Sequence, residues 1–222
     1  MSRIPFDQQL LDACAALMLL LSFAMLSQRR IVSLVNLYAI QGGALAAATL
    51  LVAWRTGEGH LYLSAALTIA LKVIFLPWLL HRLIRRLEVY WDTEPLLNVT
   101  GTMLSGLLVV VFAFGLAQPI TQLASTATRG AIGIAVSVVL LAFLMMITRR
   151  KAMSQVVGFL SMENGLFFGA MSATYGMPMV VELGVALDVL VAMLVLGVFF
   201  FQIREQFDSL DLHHLESLKE RN

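Results

Sequence analysis

The chain has 222 residues, 59% of them hydrophobic and 13% charged, with a formal net charge of +1. Soluble domains average about 45–50% apolar and ~25% charged residues, so a soluble globular fold is excluded, and the near-neutral balance gives no electrostatic footprint for a nucleic-acid partner. The single cysteine, Cys14, excludes an intrachain disulfide or an iron–sulfur cluster held by this chain alone. It lies in an apolar run, where it reads as a small buried hydrophobe.

A membrane-spanning helix needs ~20 mostly apolar residues. Seven stretches qualify, at about 8–27, 31–53, 60–80, 98–118, 130–148, 154–174 and 178–203. The expected fold is therefore an all-α integral membrane protein of about seven transmembrane helices. The first run lacks a basic leader and a small-residue cleavage site, so it is expected to stay as a span. Basic residues gather in alternate connections: Arg29 and Arg30, then Arg82, Arg85 and Arg86, then Arg149, Arg150 and Lys151. The other connections carry Arg55 and Arg129. The positive-inside rule then puts the N-terminus outside and the C-terminus in the cytoplasm, which agrees with an odd number of spans. Trp78, Tyr90 and Trp91 flank one cytoplasmic boundary, a depth that amphipathic rings favour. Residues 82–97 read as a short interfacial helix or ordered loop. In the tail, Phe207, Leu210, Leu215 and Leu218 can share one helical face, which suits a partner or the bilayer surface.

The two ends carry a weak internal likeness. "LSQRRIVSLVNLYAIQGGAL" (26–45) and "ITRRKAMSQVVGFLSMENGLF" (147–167) both set a basic pair before a polar-marked span, and one gap aligns Gln41 with Glu163. The expected organisation is a three-span unit with its interfacial segment at 1–97, a connecting span at 98–129, a second three-span unit at 130–203 and a cytoplasmic tail at 204–222. Parallel repeats of this kind occur in transporters.

Three ionisable residues fall deep within spans. At ~1.5 Å rise per residue, Glu163 lies ~13 Å in from Ser154, Asp188 ~15 Å in from Pro178 and Lys72 ~18 Å in from His60. All three approach the midplane of a ~30 Å hydrocarbon core. A charge there costs at least ~2.5–3.5 kcal/mol, so burying the group neutral, or beside a compensating partner, is cheaper. Groups balanced between those options suit a proton or ion pathway. Structural alternatives stand beside this reading. Glu163 and Asp188 could pair between spans, Lys72 could snorkel to headgroups, and Glu182 could favour the helix start after Pro178 rather than the mouth of a pathway. Gln41 and Asn164 suit interhelical hydrogen bonding, and Gly42, Gly43, Gly158 and Gly165 suit close helix packing. His60, His81, His213 and His214 show no metal-ligand spacing. No G-x-S-x-G elbow or H-E-x-x-H site is present, so no catalytic, cofactor or metal residue is expected in this chain.

The runs "GFLSMENGLFF", "GMPMVVELGVALDVLVAMLVLGVFF" and "LDLHHLESLK", with "LKVIFLP" around Lys72, resemble the hydrogenase-4 component E family over essentially the whole length. The C-terminal half is also similar to the K subunit of respiratory complex I and the C subunit of multisubunit sodium/proton antiporters. The resemblance implies a non-catalytic subunit in a prokaryotic cytoplasmic membrane, belonging to a complex-I-like, group 4 [NiFe] hydrogenase or formate hydrogenlyase-type assembly. Large antiporter-like membrane subunits and hydrogenase-like peripheral subunits would be its partners, and Ni–Fe and iron–sulfur centres would reside in those partners. It further implies that Glu163 is the mid-membrane glutamate of the pathway and that Asp188 or Glu182 is its second carboxylate. A subunit of a sodium/proton antiporter, or a structural scaffold, remains the alternative. The rhodopsin-like reading of seven spans fails, because span seven contains no lysine to hold retinal.

Overall fold

The computed structural model describes residues 6–87, 98–123 and 126–174, together with Gly184, Leu190, Met193 and Gly197; at 119–123 and 126–129 only the backbone is described. Apart from those four positions, the seventh expected span, with Glu182 and Asp188, lies outside the described residues, as do the tail, Tyr90 and Trp91. Two compact units divide the chain, Met1–Val185 and Ala186–Asn222. The first contains helices α1 (Phe6–Ser27), α2 (Ile31–Thr56), α3 (Gly59–Thr68), α4 (Leu76–Leu87), α5 (Val99–Leu123), α6 (Thr126–Thr148) and α7 (Ala152–Thr174). A π-helical stretch, Ile69–Phe75, joins α3 to α4 without a break. Among the described residues six helical runs are thus long and apolar enough to cross a membrane, and no strand occurs.

Local chemistry sets the boundaries. Helix α2 ends because Gly57 takes a left-handed conformation (φ 72°) and its N–H turns back to the Ala53 carbonyl, a reversal that a Cβ would hinder. The third span does not stop near residue 80, as the hydropathy suggested, but runs to Arg86. Leu80, Leu83 and Ile84 stay buried at helical spacing while Arg82, Arg85 and Arg86 are exposed. The start of the expected interfacial segment is therefore the amphipathic end of the span itself. Arg82 lies over the Trp78 ring at 5.5 Å, which holds its charge at the boundary.

Helix α7 packs between α6 and α2, and α1 packs against α2, α6 and α5. The outward face of α5 exposes Leu104, Leu107, Leu108, Val111 and Phe112. Inside, by contrast, lie Gln41, Lys72, Glu163 and Asn164, each no more than 2% exposed. Apolar outside and polar inside is the sense that a hydrocarbon solvent selects.

Of the four glycines expected at close contacts, three serve that purpose. A Cβ on Gly42 would approach the Lys72 Cβ to 3.2 Å, one on Gly158 the Met146 Cγ to 2.8 Å, and one on Gly165 the Val138 Cγ1 to 2.9 Å. Gly43 has nothing within 4 Å, because one residue along a helix turns it ~100° away from the face that Gly42 presents. Arg149, counted in the sequence only as a topology signal, is 4% exposed. Its Nη2 donates to the carbonyls of Leu26 (2.9 Å) and Gln28 (2.5 Å), so the α6–α7 loop caps the end of α1.

Three stability outcomes are expected from this packing. Gly165→Ala is expected to lower the stability of the purified protein in nanodiscs by about 1–3 kcal/mol, because the valines that it meets are stiff. Gly43→Ala should leave stability within about 0.5 kcal/mol. Arg149→Met removes two charge-assisted hydrogen bonds, one to a buried and one to a half-buried carbonyl, and is expected to cost roughly 2–3 kcal/mol, which thermal unfolding would register.

Candidate functional site

Glu163 lies eleven residues from either end of α7 (Ala152–Thr174). Lys72 is thirteen residues from the start and fourteen from the end of the Gly59–Arg86 span. Gln41 is ten residues into α2 (Ile31–Thr56). At ~1.5 Å per residue these positions lie within a turn or two of mid-membrane in three different spans.

The π-helical stretch aims the lysine. Pro77 has no N–H to give the carbonyl four residues back, and the helix before it widens, with the Leu76 N–H reaching the Leu71 carbonyl five residues away. Such widened turns concentrate at functional positions. Within Ile69–Phe75 the apolar residues Ile69, Ile74 and Phe75 are exposed, at 38%, 62% and 36%. Lys72 is the stretch's one buried residue. The polar side chain turns inward and its greasy neighbours turn to lipid.

The lysine finds its partner in Glu163. Lys72 Nζ donates to Glu163 Oε1 at 3.2 Å, with both side chains almost wholly buried. The Phe167 ring, one helical turn beyond Glu163, has its centroid 5.9 Å from the same Nζ and adds a weak attraction through its negative face. Lys72 therefore does not snorkel to the headgroups. Beside the pair runs a chain of neutral groups. Asn164 Nδ2 donates to Gln41 Oε1 (3.2 Å), Gln41 Nε2 donates to Ser22 Oγ (2.9 Å), and the Ser22 hydroxyl donates to the Met18 carbonyl (2.9 Å). Four spans thereby share one polar cluster.

Of the residues singled out in the sequence, Lys72, Glu163, Asn164 and Gln41 come together. Asp188 and Glu182 lie outside the described residues. Sequence reasoning missed Ser22, because a lone serine that returns its hydroxyl to its own helix looks like any other in an apolar span. It also missed Phe167, one of thirteen phenylalanines with no local mark. Among the described residues no three His, Cys, Asp or Glu side chains gather as metal ligands.

The fold and cluster define a multi-pass helical membrane protein with a buried ion pair between two of its spans. The chain belongs to the same family as Uncharacterized protein Rv0085 of Mycobacterium tuberculosis, to which it is 36% identical over 212 residues, covering 95% of this chain and 96% of the relative. It is distantly homologous to Hydrogenase-4 component E of Escherichia coli, at 24% identity over 205 residues, 92% of this chain and 95% of the relative. The protein of that name from Shigella flexneri matches to the same extent. No family model matches the chain, and no solved structure does.

Opposite charges buried in contact depend on each other. Removing one partner of such a pair typically costs about 3–5 kcal/mol, whereas replacing both with apolar groups can be neutral. Lys72→Met and Glu163→Leu alone are each expected to lower the melting temperature, and the double variant to recover most of the loss. A double-mutant cycle on thermal unfolding measures this, and additive losses would show that the two groups do not interact.

Proposed function

We propose that the chain is a non-catalytic membrane subunit of a complex-I-like energy-converting hydrogenase or a related redox-driven ion pump, in which the Lys72–Glu163 pair carries protons through mid-membrane. Two independent lines support this reading. The full-length homology to a relative named as a hydrogenase component supports the kind of assembly. The buried pair, 3.2 Å apart at the centre of its spans, supports the chemistry and is the observation that carries the proposal.

The chemistry follows from charge compensation. With Lys72 as ammonium and Glu163 as carboxylate, each charge offsets the other's desolvation. A proton arriving on Glu163 removes that offset and leaves a lone ammonium in a medium that disfavours it. Lys72 then gives up a proton on its far side, and the neutral amine takes the proton from Glu163 across their contact, which restores the ion pair. One proton moves for each change in the pair, and a charge shift in a neighbouring subunit can trigger it. Gln41 and Asn164 hold no net charge and line the route beside the pair. Asp188 or Glu182 would supply a further carboxylate from the seventh span.

Glu163→Gln keeps the shape and a hydrogen-bond acceptor for Lys72 but cannot cycle a proton. It is expected to leave the subunit in its complex, judged by co-purification, and to reduce proton movement coupled to turnover in vesicles at least tenfold. Normal coupling in the assembled variant would leave the pair with a purely structural part, as in a scaffold.

A further inference from the structure

At the end of the bundle where α1 begins, α1, α2, α6 and α7 enclose a cavity of about 400 Å³. Of its lining, Asp12 and Arg55 are exposed and Gln8 and Ser172 half-buried at the mouth, whereas Val52 and Phe168 are buried. The mouth is tied by polar contacts. Arg55 Nη1 donates to Gln8 Oε1 at 3.0 Å, and Gln8 Nε2 donates to Asp12 Oδ1 at 3.3 Å. Arg55 also pairs with Asp7, which leaves Asp12 the carboxylate that lines the cavity and is not in the arginine's ion pair. At ~30 Å³ per molecule, the space holds on the order of ten waters.

Phe168, 1% exposed, stands between this cavity and the polar cluster. Asn164 follows four residues inward on the same face of α7, about 6 Å along the axis. It is wholly buried, and its Oδ1 accepts a hydrogen bond from none of the described residues. Buried amide oxygens are nearly always satisfied, by protein or by ordered water. Beside Phe168, Met18 of α1 and Leu45 of α2 belong to the same buried apolar cluster. Four residues further inward on those helices come Ser22 and Gln41, the hydrogen-bonded members of the polar chain. A cavity with a polar mouth, an apolar layer roughly one helical turn thick and a polar cluster with an unmet acceptor thus follow one another along a single interhelical seam.

We propose that this cavity is the water-filled access to the Glu163 cluster from the side of the membrane on which α1 begins. Asp12 is the proton-exchanging carboxylate at its mouth, and Phe168, with Met18 and Leu45, is the hydrophobic plug that closes it. The assignment rests on the proton-path reading above. Apolar constrictions stop conduction by excluding water. Rotation of Phe168 lets the water column reach Asn164 Oδ1 and Glu163. A hydronium ion gives its proton to Asp12, Asp12 passes it to the first water of the column, the column relays a proton inward, and Glu163 accepts it from the last water. Each transfer breaks one bond to hydrogen and forms another, with no change in oxidation state.

The test uses the full chain in its native complex with Cys14→Ala, single cysteines and a water-soluble, membrane-impermeant charged methanethiosulfonate applied on the α1-start side. Val52→Cys is expected to react readily and Leu45→Cys at least tenfold more slowly. Adding Phe168→Ala should raise the Leu45→Cys rate at least tenfold, and Phe168→Val, a smaller truncation, should raise it partway. An unchanged Val52→Cys rate in both shows that the fold persists. An unreactive Val52→Cys, or a Leu45→Cys rate indifferent to both Phe168 variants, overturns the access route. Asp12→Asn should slow coupled proton movement several-fold with labelling unchanged, and normal coupling there removes Asp12 from the route. Glu163→Gln keeps the readouts apart: if labelling behaves as expected but that variant still couples, the proton-path reading fails while the cavity stands as water-filled.

Discussion

The structure turns on the cost of holding charge in hydrocarbon. A lone lysine or glutamate at mid-membrane costs several kcal/mol, and neither has an escape route to the headgroups from the centre of its span. Lys72 and Glu163, 91 residues apart in sequence, solve this together at 3.2 Å. That contact obliges α7 to face the π-helical stretch. Helix α2 touches both of them, and Gly42 is the position where its backbone comes close enough to admit the lysine stem. The neutral chain from Asn164 through Gln41 to Ser22 then ties α1 into the same arrangement. One electrostatic requirement thus fixes the neighbours of four spans.

The widened helix around Lys72 serves the same requirement. A regular helix ending in Pro77 would leave carbonyls without donors in a solvent that offers none. The π register returns the Leu76 N–H to Leu71 and keeps the rod continuous into α4. Its register also sorts side chains by polarity, lysine inward and Ile74 outward. A local backbone irregularity and a buried charge are therefore two parts of one feature.

Full-length similarity to both relatives concerns the whole bundle rather than a motif within it. The N-terminal spans are accordingly part of what is shared, and in the structure they are not passive. Helix α1 supplies Ser22 to the polar chain and Asp12 to the cavity mouth, and α2 supplies Gln41 and Arg55. Arg149 locks α1 to the α6–α7 loop at the opposite end. Both ends of the first helix are thus anchored by polar contacts to elements distant in sequence.

Hydropathy alone located the described spans to within a few residues, the far end of the third excepted, because the length needed to cross a bilayer is written into composition. It also marked Lys72, Glu163, Gln41 and Asn164, since a polar residue inside an apolar run is conspicuous wherever it folds. Pairing was not legible. Depth along a helix follows from counting, but the direction in which a side chain points depends on the rotation of each helix about its axis, and only packing decides that. For the same reason the sequence did not separate Gly43 from Gly42, mark Ser22 among the other serines, or distinguish Arg149 as a buried cap from Arg150 as a surface charge. The third span outran its expected end because a buried leucine stripe continued behind the arginines, and a stripe becomes one only when a neighbouring helix covers it.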